Sequence, residues 1–212
     1  MSLLLTFITS LMLGMRHATD SDHVVAVTAI ASRERSVVKA AWLGALWGLG
    51  HTLTLLLGGG AIILFRMTFT PKIGLSMEFA VAAMLVVLGL LNLFDVSPRA
   101  ASLNTARPFF VGAVHGLAGS AAAVLLIVPL IPDPRWAVVY LLVFGFGTVV
   151  GMTLITLSIA APSLLLASRM AGMQRSLRLA SGAVSVVFGL YLAHKIGFAD
   201  GLFSSTPRWQ PR

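Results

Sequence analysis

No cysteine occurs anywhere in the 212 residues, which removes disulfides, thiolate metal ligands and thiol redox chemistry. Charge is nearly as scarce. Asp, Glu, Lys and Arg make up 10% of the chain against 58% hydrophobic residues, whereas soluble domains carry about 25% charged residues. Carboxylates are the rarer sign, 7 against 15 basic residues. The resulting net charge of +8 does not indicate nucleic-acid binding, because the basic residues stand singly between apolar runs. That is how the positive loops of a membrane protein are distributed. The N-terminus lacks a basic stretch and a convincing cleavage site, so the first apolar segment is expected to be retained and not removed as a signal peptide.

What is present is a succession of apolar runs. Hydropathy places six spanning segments at 2–31, 41–65, 74–95, 109–131, 136–160 and 177–198. The expected fold is an all-α integral membrane protein, a single polytopic transmembrane domain with six transmembrane helices and a polar tail over 201–212. Short connections carry turn and charge signals, such as Arg33-Glu34-Arg35, Thr70-Pro71-Lys72 and Pro132-Asp133-Pro134-Arg135. The Pro-containing end Ser204–Arg212 is expected to be disordered. Loops 1–2, 3–4 and 5–6 hold 8 Lys and Arg. The other side holds 3, or 6 once Lys195, Arg208 and Arg212 are included. This bias places both termini outside the cytoplasm of a cell membrane, that of a bacterial inner membrane.

The chain is organised around His17-Ala18-Thr19-Asp20-Ser21-Asp22-His23. The apolar runs Leu3–Met15 and Val24–Ala31 flank it, and neither reaches the roughly 20 residues of a spanning helix alone. Joined through the motif they do, which puts four ionisable groups near mid-membrane. Each such residue costs about 2.5–3.5 kcal/mol at a helix centre, so an ion or substrate pathway is the default explanation. In a continuous helix Asp20 shares a face with His17 and His23, while Asp22 falls on another side. Asp22 joins them only if the helix is broken or overwound near Thr19–Ser21. Neutral imidazole with carboxylate suits a borderline divalent ion such as nickel, cobalt or zinc. The competing explanation is a set of buried polar residues that only pair helices together.

An internal repeat runs through the chain. Gly14-Met15-Arg16-His17 matches Gly112-Ala113-Val114-His115, and Gly48-Leu49-Gly50-His51 matches Gly145-Phe146-Gly147-Thr148. Val86-Val87-Leu88-Gly89-Leu90 matches Val186-Val187-Phe188-Gly189-Leu190. The offsets are 98, 97 and 100, so the register barely drifts. Three segments followed by three describe a 3+3 inverted repeat, about 1–98 and about 99–200, the plan of many secondary transporters. His51 and His115, each set among glycines, then face the bundle interior as further candidate ligands.

Other polar residues read more plainly. Arg16 is expected to be a structural counter-ion, with Asp22 the candidate partner, the alternative being a place at a cavity mouth. Glu78, Asp95 and His194-Lys195 sit toward segment ends as interface residues, and Asn92 and Thr148 are expected to bond between helices. Gly58-Gly59-Gly60 lacks the following Lys-Ser/Thr of a phosphate loop.

The motif His17-Ala18-Thr19-Asp20-Ser21-Asp22-His23 resembles the His-x4-Asp-His signature of the nickel/cobalt transporter family. Leu49-Gly50-His51-Thr52 is similar to that family's Leu-Gly-His-Ser/Thr stretch. Val114-His115-Gly116-Leu117-Ala118-Gly119-Ser120 is similar to the His-Gly-Leu stretch of its shorter, urease-accessory-type members. The resemblance implies a permease for Ni²⁺ or Co²⁺, with the ion as substrate and no resident cofactor. It implies His17, Asp20, Asp22, His23 and His51 as metal-handling positions, to which the repeat adds His115. Larger members have eight spanning segments against six here, and exporters of related type carry a His-rich loop that this chain lacks. Uptake is therefore the expected direction, with a related exporter and an intramembrane zinc hydrolase as alternatives.

Overall fold

The computed structural model of the chain describes residues 3–32, 34, 36–65, 70–96, 106–118, 131, 133–169 and 172–209. Regular structure among them is entirely helical: α1 Leu3–His17, α2 Ser21–Ala31, α3 Val37–Phe65, α4 Pro71–Leu93, α5 over 106–118, α6 Pro134–Arg169 and α7 Met173–His194. A π-helical turn, Lys195–Ala199, prolongs α7. Four stretches are long and apolar enough to cross a bilayer: α3, α4, Pro134–Pro162 of α6, and Met173–Ala199. Residues 119–130 of the fourth expected segment lie outside the described residues, as do Arg33, Arg35, Arg66, Arg99 and 210–212.

The expected single helix over 2–31 is broken at the motif. Thr19 N–H and Asp20 N–H bond back to the carbonyls of Arg16 and His17, closing tight four-residue turns. The Thr19 hydroxyl donates to Arg16 O at 2.6 Å. Asp20 is extended, with φ −61° and ψ 147°, and α2 starts afresh at Ser21. Thr19, Asp20, Ser21 and Asp22 all have short polar side chains that compete for their own backbone, which is why the helix gives way here. Elsewhere the boundaries follow ordinary capping. The Thr70 side chain accepts from Ile73 N–H with Pro71 in the first turn, and Asp133 accepts from Arg135 N–H at 2.9 Å before α6.

Packing runs through small residues. α3 lies along α6, α4 along α7 and α1 against α6, with α2 on α7 and α4. A methyl group at Gly14 of α1 would overlap the backbone of α6 at Phe144, and one at Gly112 of α5 would overlap α3 at Trp47. Gly50 of α3 meets Phe109 of α5 in the same way as Gly147 of α6 meets Leu11 of α1. Gly89 lies on Gly182 and Val186, and Gly189 on Ala82 and Val86. Such close approach is what holds helices together in an apolar solvent, where hydrophobicity offers no drive between them. Large side chains point outward instead, among them Leu53, Leu57, Val87, Phe146, Val187 and Leu190. Gly112→Ala is expected to lower the unfolding temperature of the detergent-purified protein, through an overpacking cost of about 1–3 kcal/mol. An unchanged melting curve would contradict the close α3–α5 contact.

Hydroxyls and one amide pin these pairs. The Ser10 hydroxyl donates to Tyr140 O at 2.8 Å, Thr52 to Gly145 O at 3.0 Å, and Ser185 to Leu85 O at 2.7 Å. Asn92 bonds between helices as expected, its Nδ2 donating to Ala29 O of α2. Arg178 donates to Asn92 O at 3.0 Å and pairs with Asp95. Thr148 departs from expectation, because it donates to Phe144 O within its own helix at 3.0 Å. A hydroxyl buried in an apolar helix satisfies itself on the preceding turn in this way.

The C-terminal stretch corrects a further expectation. Residues 201–209 fold back onto α4, with Arg208 N–H donating to Asp200 O at 2.9 Å. The Trp209 indole lies flat enough on Gly74 that any side chain there would collide with it. Its Nε1–H donates to Glu78 Oε1 at 2.8 Å. The polar composition of this stretch concealed two aromatic anchors, Trp209 with a waiting glycine and an acceptor, and Phe203, whose ring meets Phe79 of α4 at 5.5 Å.

Candidate metal centre

The break between α1 and α2 positions the site. It lets the end of α1 present His17 and the start of α2 present His23, their ring centroids 4.7 Å apart. His51 of α3 meets both, at 5.1 Å from His17 and 5.2 Å from His23. His115 of α5 stacks on His23 at 4.7 Å. Ligand atoms of His17, His23 and His51 all lie within 4.8 Å of one another. His23, His51 and His115 are buried, and His51 is completely enclosed. Trp47 flanks the group, its rings 5.8 Å from His23 and 5.6 Å from His115.

The two aspartates take roles opposite to those of an unbroken helix. Asp20 pairs with His17 Nδ1 at 2.8 Å and does not reach His23; its side chain is 49% exposed. Asp22, expected on another side, lies between His23 Nδ1 at 3.3 Å and His115 Nε2 at 3.5 Å. The break reorients everything that follows it and turns Asp22 inward. Asp20 is also the N-cap of α2, yet its carboxylate makes no capping bond. The carboxylate turns back to His17 instead. The partners of Asp22 are histidines and not the exposed Arg16 that the sequence offered as its counter-ion.

The nitrogens of these rings are poorly satisfied. His17 Nε2, His23 Nε2 and both nitrogens of His51 are buried and have no hydrogen-bond partner among the described residues. A buried polar atom left unpaired costs about 1–3 kcal/mol. Several in one place are best relieved by a ligand that accepts lone pairs, and a divalent ion does this at about 2.0–2.1 Å per imidazole nitrogen. Structural pairing of helices does not explain them, because structural pairing would leave the nitrogens bonded.

A cavity of about 330 Å³ opens beside the cluster, walled by His17, Asp20, Ser21, Asp22, His23 and His115. Val81, Ala118, Phe188, Leu192 and Ile196 supply its apolar side. His51 lies behind His17 and His23, deeper than the cavity wall. Glu78 of α4 also lines the cavity, where the sequence placed only an interface residue. It stands seven residues into α4, and its isolation as one carboxylate in an apolar run was the available signal.

All six candidate positions, His17, Asp20, Asp22, His23, His51 and His115, therefore gather around one cavity or directly behind it. Fold and site together define the class: a multi-pass α-helical membrane protein whose polar residues converge on a buried imidazole–carboxylate cluster. Over 209 residues the chain is 34% identical to the urease accessory protein UreH of Bacillus sp. (strain TB-90), a match that covers 90% of this chain and 91% of that protein. The chain belongs to this UreH family of urease accessory proteins. The family is one of accessory proteins and not of enzymes, which sets aside the zinc hydrolase. No protein-family model matches the chain. No solved structure matches it either.

Proposed function

We propose that the protein is a secondary transporter that carries Ni²⁺ or Co²⁺ inward across the cell membrane. The observation that carries this reading is the meeting of His17, His23 and His51, with unpaired buried nitrogens, beside a cavity that holds carboxylates. Imidazole with carboxylate suits nickel and cobalt, and the motif resemblance points to the same two ions. An accessory protein of urease that moves a metal ion would supply that enzyme's surroundings with it. His17, His23 and His51 form the inner ligand set, Asp22 braces His23 and His115 beside it, and Asp20 stands where ions enter.

Uptake needs no further energy source. An inside-negative potential gives about 2.3 kcal/mol per charge per 100 mV, twice that for a divalent ion. The ion binds deprotonated imidazole and carboxylate, so protons compete with it.

The transporter is built as six spans, with α1 and α2 together forming the first, in two inverted halves of about 1–98 and 99–200. Reciprocal contacts support this. Gly14 on Phe144 and Gly112 on Trp47 become the same contact when the halves are exchanged, at offsets of 98 and 97. Gly50 on Phe109 and Gly147 on Leu11 form a second such pair, and Gly89 and Gly189 a third. Basic-residue bias favours both termini outside the cytoplasm.

Proteoliposomes are the test. With an inside-negative potential imposed, vesicles holding the protein should accumulate radioactive nickel or cobalt above protein-free vesicles. Accumulation of neither ion above protein-free vesicles would remove the transport reading.

A further inference from the structure

We propose that α2 is the gate of this site on the side remote from the cavity, and that Asn92 and Ser181 are the latch that holds it shut. The inference rests on the transport reading above and adds to it the element that moves. The cavity occupies one end of α2, α4 and α7, where Ser21, Asp22, Val81, Phe188, Leu192 and Ile196 wall it. An ion that enters there leaves by the other end of the bundle. That end is closed in two layers. Ala26, Val27, Ala29 and Ile30 of α2 are buried with Leu85 and Leu88 of α4 in one apolar cluster. Beyond it, about 16 Å along α4 from Val81, a polar knot ties the last turn of α2 to its neighbours. The fully buried Asn92 amide donates to Ala29 O and lies 3.5 Å from the hydroxyls of Ser32 and Ser181. Those two hydroxyls are 3.1 Å apart. Arg178 braces the knot from α7, donating to Asn92 O at 3.0 Å and pairing with Asp95.

α4 and α7 are the fixed frame of this gate. Their backbones meet at Gly89, Gly182 and Gly189, and the Ser185 hydroxyl of α7 donates to Leu85 O at 2.7 Å. α2 is held differently. It is 11 residues long, is separated from α1 by the turns at Thr19 and Asp20, and buries Ala26, Val27, Ala29 and Ala31, side chains too small to interlock deeply. A break at the end of a short element is where a hinge absorbs its change in backbone angles. α2 also carries His23, whereas His17 and His51 belong to α1 and α3. Rotation of α2 about the break therefore frees its last turn from Asn92 and at the same time turns His23 relative to the other two imidazoles. Opening of the gate and release of the ion are one movement.

The chain has no cysteine, so introduced thiols report without background. Ser32→Cys with Ser181→Cys puts two thiols where hydroxyls stand 3.1 Å apart, within reach of a disulfide. Oxidised with diamide, this pair should lose nickel uptake into proteoliposomes to the level of protein-free vesicles, while nickel binding to the purified protein by calorimetry holds. Reduction with a phosphine should restore uptake. Equal uptake by the oxidised and reduced pair overturns the gate, and so does failure of the thiols to cross-link. A second measurement does not depend on uptake. Asn92→Ala should speed maleimide labelling of Leu88→Cys by about tenfold, the shift in population that loss of a buried hydrogen bond brings. Labelling of Leu55→Cys, in the separate cluster with Tyr140 and Leu141, should not change. An equal rise at both positions marks Asn92 as a structural residue only and overturns the latch, as does no rise at Leu88→Cys. A selective rise at Leu88→Cys without nickel uptake by the wild type keeps the moving helix and removes transport.

Discussion

His23→Ala should reduce nickel and cobalt uptake to the level of protein-free vesicles while the variant remains in the membrane at wild-type abundance. No other side chain touches as much of the site. His23 contacts His17, His51 and His115 through its ring and Asp22 through Nδ1. Its removal leaves no three-imidazole set with mutual contacts. Stability should suffer less than for an ordinary buried residue, because the deletion also removes a nitrogen that has no partner among the described residues. His17→Ala should abolish uptake likewise. His194→Ala is the control: its ring stacks on Phe198 at 5.3 Å, away from the cluster, and its uptake should match the wild type. Near-normal uptake by His23→Ala at matched abundance would take the motif out of the mechanism.

Asp22→Asn should lower transport by about one to two orders of magnitude, and Asp20→Asn by clearly less. The substitution preserves shape and removes charge. Asp22 braces two rings at once, His23 and His115, and a carboxylate behind a metal-binding imidazole is worth about 10–100-fold in affinity or activity. Among the described residues the Asp20 carboxylate pairs with His17, and it is half in solvent, where water screens its field. Initial rates across a nickel titration separate the two. A larger loss in Asp20→Asn than in Asp22→Asn would contradict the inward turn of Asp22.

Much of this site is legible in the chain because its signals are local. His17, His23, His51 and His115 stand out as imidazoles in apolar runs, and the sequence set the condition that the helix break near Thr19–Ser21 if Asp22 is to join them. The break is there. The pairing of each aspartate was not legible, since a helical wheel assumes the regular geometry that Thr19, Asp20, Ser21 and Asp22 destroy. Thr148 was misplaced for a related reason: a hydroxyl has an acceptor in its own helix, and sequence does not say which acceptor wins. Glu78 and Trp209 lie 131 residues apart, and only the folding of the tail onto Gly74 brings them together. Composition described the tail as polar and overlooked the indole and the phenyl ring that anchor it.

Nickel K-edge X-ray absorption on the purified protein loaded with one equivalent of the ion tests the central claim most directly. The cluster predicts about three imidazole nitrogens at about 2.0–2.1 Å, with ring scattering diagnostic of histidine and one fewer in His51→Ala. A spectrum of oxygen ligands alone, or one identical in the wild type and His51→Ala, would contradict it.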